Sequence, residues 1–112
     1  MIKKILIAAT AVAAITTTAT LVQAGSGSYV LDRIQERGVV NMGHRESSVP
    51  FSYIGDDGKP QGYSIDLCDK FVDEIRKNLK MPNIKVNHVP VTSQTRIALM
   101  ANGTIDVECG ST

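Results

Sequence analysis

Two cysteines and two histidines are the only thiol and imidazole groups in this 112-residue sequence, and each stands 20 or more residues from the next. No CxxC or HxxxH spacing exists, so the usual zinc arrangements are excluded. The same sparseness leaves no Cys-His pair at a spacing that marks a nucleophile. Asp56-Asp57 stands without the ligand ladder of an EF-hand, so it reads as turn chemistry rather than a calcium loop. Net charge is also small. Once the first 24 residues are set aside with Lys3 and Lys4, ten basic residues face eleven acids, a net of −1. Such a balance speaks against nucleic acid or an anionic membrane surface as partner.

No charged residue falls between Lys4 and Asp32. The segment MIKKILIAATAVAAITTTATLVQA joins a basic start, an apolar run from Ile5 to Ile15 and a small residue, Ala24, at its end. This layout predicts a secretory signal peptide over residues 1–24, cleaved after Ala24. The competing reading is a membrane anchor, against which the threonines at 16, 17, 18 and 20 thin the hydrophobicity. No cysteine near the cleavage point suggests a lipid anchor. The expected product is an exported, soluble domain over residues 25–112, small for the core it must build.

In an oxidising compartment Cys68 and Cys109 have two fates. They pair as a disulfide, or each is a small buried residue on an apolar face.

Beyond the leader the sequence alternates between helix and strand signals. YVLDRIQERG predicts a short helix with Leu31 and Ile34 on one face and Gly38 as its stop. VVNM, 39–42, follows as a strand. FSYIGDDGKPQGYS carries Asp57-Gly58 between short alternating runs and predicts a hairpin. In SIDLCDKFVDEIRKNLK, Leu67, Cys68, Phe71, Val72, Ile75 and Leu79 recur at helical spacing, with Ser64 as expected N-cap and Asp66 suited to the first turn. NIKVNHVPV predicts a strand over roughly 84–91, with His88 on its polar face. SQTRIALMANG predicts a helix ending at Gly103 with Ile97, Leu99 or Met100, and Ala101 toward the core. TIDVECGST predicts a last strand.

Strands separated by helices imply a parallel sheet, and ligands of such sheets bind beyond the carboxyl ends of the strands. Three polar clusters fall there: His44-Arg45-Glu46-Ser47-Ser48, Thr92-Ser93-Gln94-Thr95-Arg96 and Gly110-Ser111-Thr112. Arg96 breaks a local rule. In the first turn of a helix capped by Thr92 or Ser93, a cation opposes the dipole by roughly 0.3–1 kcal/mol, and such violations often mark a site. A helix N-terminus, a serine hydroxyl and two guanidiniums, from Arg45 and Arg96, would together suit a carboxylate. The bland reading pairs Arg45 with Glu46 or Glu108 and lets Arg96 snorkel.

The segments GHRESSVPFSY, GYSIDLC, PVTSQTRI and NGTIDVECGST, with the leader, resemble the amino-terminal part of the periplasmic glutamate/aspartate-binding proteins that serve ABC importers. The resemblance implies an α/β fold, the parallel-sheet lobe of a type II periplasmic binding protein, in which two lobes close on the ligand. It implies that Arg45, Ser93 and Arg96 hold the ligand's side-chain carboxylate, and that Ser111 and Thr112 belong to the motif near its amino-acid backbone. It further implies L-glutamate and L-aspartate as ligands, a membrane permease as partner, no cofactor, no catalysis and a monomeric full-length protein. Family members run well over twice this length. The expectation is therefore a fragment or truncated product covering part of the first lobe, with a non-binding remnant or interaction module, and a dehydratase-like enzyme of the same fold, as alternatives.

Overall fold

The computed structural model describes residues 28–112; the expected leader lies outside them. The elements run α1 (Ser28–Arg37), β1 (Val39–His44), β2 (Ser47–Ser48), β3 (Ser52–Ile54), β4 (Pro60–Gln61), α2 (Tyr63–Leu79), β5 (Lys85–Pro90), α3 (Arg96–Ala101) and β6 (Val107–Cys109). β1 is central in a parallel sheet of order β5-β1-β6, with Val39 opposite Lys85, His44 opposite Pro90, and Met42 opposite Val107. The strands β2, β3 and β4 form a separate antiparallel sheet. The chain thus has the α/β architecture of a type II periplasmic binding protein lobe. Among the described residues no helix is long and apolar enough to cross a membrane.

Alternation along β1 sorts the two faces of the sheet. Val40 and Met42, both fully buried, point to one face, where Ile34 of α1 and Ile65, Val72 and Ile75 of α2 cover them. Cys109 joins that core and is disulfide-bonded to Cys68 of α2. Leu67 and Phe71, expected on the inner face of α2, are about half exposed. They flank the buried stripe of Ile65, Val72 and Ile75 rather than fill it. Leu31 likewise lies at the margin while Ile34 is sealed.

Turn chemistry agrees with the sequence at two places. Gly38 ends α1 with φ +67 and donates its N–H to Ile34 O at 2.8 Å, as a glycine stop should. Gly58 has φ +74 in the β3–β4 hairpin, where Asp57 Oδ1 accepts from Lys59 N.

Three expectations need correction. Strand β1 reaches His44 rather than Met42, because β5 pairs with it along its whole length. Ser64 is not the cap of α2: the helix begins at Tyr63 behind Gly62, and the Ser64 hydroxyl donates instead to Gly110 O at 2.7 Å. The last helix, α3, has only six residues and buries none of them; Ile97 is 71% exposed. The sheet face it was expected to seal is already filled by Ile105 and Val91, both buried, which meet at Gly43.

A further tie was not foreseen. The Asp106 side chain is 1% exposed and accepts from Arg37 Nη2 at 2.8 and 2.7 Å, from Arg33 Nη2 at 3.2 Å and from Asn41 N at 2.8 Å. Asp106 N in turn donates to Asn41 O. A buried carboxylate with every neighbour in place holds α1 against the strands; removing it strands two cations and a backbone donor. Asp106→Ala should therefore lower unfolding free energy by about 3 kcal/mol in urea titration. A loss below about 0.5 kcal/mol, the usual size of a surface substitution, would show that α1 does not depend on this clasp.

Candidate ligand site at the carboxyl edge of the sheet

All three parallel strands end on one edge, and the strand order switches sides at β1. The chain leaves β1 for β5 on one flank and reaches β6 on the other. A crevice opens at such a point, and Arg45 is the first residue after β1 to enter it.

The backbone of Arg45 is fixed by its N–H donating to the fully buried Ser52 Oγ at 2.9 Å. Its guanidinium Nη1 donates to Ser93 Oγ at 3.0 Å across the β1–β5 boundary. Ser93 belongs to a tight turn in which Thr92 N donates to Thr95 Oγ1 (2.9 Å) and Thr95 N to Thr92 Oγ1 (3.1 Å). Arg96 opens α3 directly after this turn, and its Nη1 donates to Thr112 Oγ1 at 2.6 Å. A helix of six residues supplies too little dipole to be an anion site by itself, which corrects the expected role of its N-terminus. The two guanidiniums are the charged donors here.

The structure thus brings the sequence-predicted residues together as two pairs, Arg45 with Ser93 and Arg96 with Thr112. Ser111 lies beside the second pair. With Thr112, Gly110, Ser64, Phe51 and Tyr63 it lines a groove of about 350 Å³. The ion pairs among the described residues are Arg33 and Arg37 with Asp106, Arg76 with Asp73, and Lys77 with Glu74. Neither Arg45 nor Arg96 is in one, so the bland pairing of Arg45 with Glu46 or Glu108 is not formed. Each of these arginines donates to a neutral hydroxyl and stands outside any ion pair. Arg96 Nε is moreover buried without a hydrogen-bond partner among the described residues.

Phe51, Tyr63 and Ser64 were missed as site residues. Phe51 is 44% and Tyr63 61% exposed, in a chain with only five aromatic residues. What seats them is backbone. Tyr63 N donates to Pro50 O (3.0 Å) and Ser64 N to Phe51 O (2.8 Å), so the loop after β2 occupies donors at the start of α2. This close approach needs Gly62, which has φ +126 and no room for a Cβ, since one would collide with the Phe51 carbonyl. A more apolar groove, lined by Leu31, Phe71, Ile75 and Leu79, lies between α1 and α2. It is remote from the strand ends and offers no cationic group.

A lobe of type II periplasmic-binding architecture with two guanidiniums outside any ion pair at the carboxyl edge of its sheet defines a class, the solute-binding proteins. The chain belongs to the bacterial extracellular solute-binding proteins, family 3, whose pattern matches residues 40–112. It is 54% identical over 83 residues to an L-glutamate/L-aspartate-binding protein of Pseudomonas aeruginosa, covering 73% of this chain and 28% of that protein. It is 48% identical over 108 residues to a glutamate/aspartate import solute-binding protein of Escherichia coli, covering 93% of this chain and 36% of the relative. The chain therefore spans about a third of the length of these curated relatives. Among solved structures, an ancestral cationic amino acid solute binding protein superposes with a TM-score of 0.62 at 28% identity, over 73% of this chain and 33% of that one. An ancestral cyclohexadienyl dehydratase superposes at 0.60 and 30% identity, over 71% and 30%.

Gly62→Ala tests how the aromatic wall is held. A forced φ and a collision with the Phe51 carbonyl should cost about 1–3 kcal/mol of stability and accelerate hydrogen exchange at the Tyr63 and Ser64 amides. Unchanged exchange at both amides would show that the loop is not seated this way.

Proposed function

We propose that the protein is the substrate-binding component of an ABC importer and that it captures the acidic amino acids L-glutamate and L-aspartate in the periplasm. On this reading residues 1–24 are a cleaved export signal and residues 25–112 belong to the first of two lobes. Arg45, Ser93 and Arg96 receive the ligand's side-chain carboxylate. Ser111 and Thr112 face its amino-acid end. The partner is the membrane permease, no cofactor takes part, and the protein is a monomer that binds its ligand without chemical change. The observation that carries the reading is the pair of arginines, each hydroxyl-bonded, neither ion-paired, at the crevice where the strand order switches.

The named relatives support the same ligand class: both matched curated proteins carry glutamate and aspartate in their names. Their names describe binding and import, which favours a transport role over the dehydratase chemistry of one structural neighbour. A dehydratase would also need a positioned acid or base. The candidates at this edge are Glu46, which is exposed, and Glu108.

The choice between carboxylate and amide ligands follows from charge. An amide in place of the ligand carboxylate leaves guanidinium charge without its partner in the crevice, a penalty of several kcal/mol. Calorimetric titration should therefore show glutamate and aspartate bound far more tightly than glutamine and asparagine. Equal affinity for glutamate and glutamine would sink the assignment.

Arg96→Ala separates ligand binding from folding. It should weaken acidic amino-acid binding by roughly 2–5 kcal/mol. Stability should hold, since Arg96 forms no ion pair and its side-chain hydrogen bond goes to the exposed Thr112. If the variant unfolds while its folded fraction binds glutamate normally, Arg96 is a structural residue and the site is misassigned.

A further inference from the structure

One half-buried acid at this edge has no part in the reading above. Glu108 lies in β6 opposite Gly43. Its neighbour Cys109 turns into the core beneath α2, so alternation turns Glu108 to the other face of the sheet. Its Oε1 is buried and has no hydrogen-bond partner among the described residues. The carboxylate rests over Gly110: a Cβ on that glycine would overlap Oε1 and lie 3.1 Å from Arg45 Cγ. Carboxylate, glycine and the Arg45 stem thus form one contact at the mouth of the crevice.

This placement differs from that of Asp106, the carboxylate that serves the fold. Asp106 is saturated by two arginines and a backbone N–H. Glu108 forms no ion pair among the described residues, and its Oε1 lies across Gly110 from the Arg45 stem. A carboxylate left unpaired near an arginine stem is poor scaffolding. It acts through space, as a fixed negative charge in a region of reduced dielectric.

We propose that Glu108 is a specificity-determining residue of the acidic-ligand site: its half-buried carboxylate, next to the Arg45 stem, offsets one of the two arginine charges. A single ligand carboxylate then completes neutrality, and a doubly charged anion is refused. The proposal rests on the reading of this edge as a carboxylate site. Unit charges several ångströms apart at an effective dielectric of about 20 shift affinity by roughly tenfold or more for each ligand charge.

The experiment compares the protein with Glu108→Gln and with Glu108→Asp, which keeps the charge. Circular dichroism reports folding, calorimetry titrates L-glutamate and L-glutamine, and thermal unfolding is followed with sodium sulfate against sodium chloride at equal ionic strength. Glu108→Gln should stay folded and raise the glutamate-to-glutamine affinity ratio about tenfold. Sulfate should stabilise Glu108→Gln specifically, and neither the unaltered protein nor Glu108→Asp. An unchanged ratio with no sulfate effect would overturn the proposal. So would loss of folding in Glu108→Gln with folding kept in Glu108→Asp, which would make the charge structural. Failure of the unaltered protein to bind glutamate would defeat the functional reading instead, and the sulfate comparison would still decide the role of Glu108.

Discussion

The structure depends on β1 being paired on both sides. Six register pairs join it to β5 and three to β6, all parallel. That single constraint sends three strand ends to one edge and divides the side chains of β1 between two layers. Val40 and Met42 go to the helix-covered core, and Gly43 goes to the other face. At Gly43 a Cβ would stand 2.8 Å from Ile105 Cδ1 and 3.3 Å from Val91 Cγ1. A side chain there would displace Ile105 and Val91, the buried residues that fill this face below the strand ends.

Charge is allotted with similar economy. Arg33 and Arg37 converge on Asp106, whose four acceptor contacts leave it nothing further to offer. Arg45 and Arg96 meet only hydroxyls. A saturated buried pair is a weak source of net stability but is strongly harmed by losing one member. Guanidiniums outside an ion pair contribute little to the fold and much to an anion that replaces their water. The same residue type therefore serves two ends in one small domain, and the neighbouring carboxylate decides which.

Much of this was legible in the sequence because it is local. The stop at Gly38, the Asp57-Gly58 turn and the period of α2 each rest on residues within a few positions of one another, and strand ends follow from the alternation of elements. Arg96 was legible for a different reason: it violates the preference of a first helical turn, and a violation is visible without knowing the partner. What escaped depends on distant pairs. Nothing near Asp106 announces Arg33 and Arg37, some 70 residues earlier. The exposure of α3 was unreadable because Ile105 and Val91 compete for the face its own apolar residues were expected to cover. Ser64 looked like a cap by type and position; the tertiary demand of Gly110 O for a donor drew it away.

The end of β6 shows why those distant ties matter at the site. Ser64 and Cys68 are one helical turn apart on α2, hence on one face. The first hydrogen-bonds Gly110 O and the second is bonded to Cys109. Two consecutive residues of the strand end are thus clamped to two consecutive rungs of a 17-residue helix. That helix begins where Pro50 and Phe51 dock. The loop after β2 and the strand end that carries Ser111 and Thr112 are therefore positioned by the same rigid body, on its first two turns. Ordering a loop on binding costs about 0.5–1.5 kcal/mol for each immobilised side chain. Here much of that ordering is done on folding, so on the proposed reading the attraction between the arginines and a carboxylate would not be spent on assembling the wall beside them.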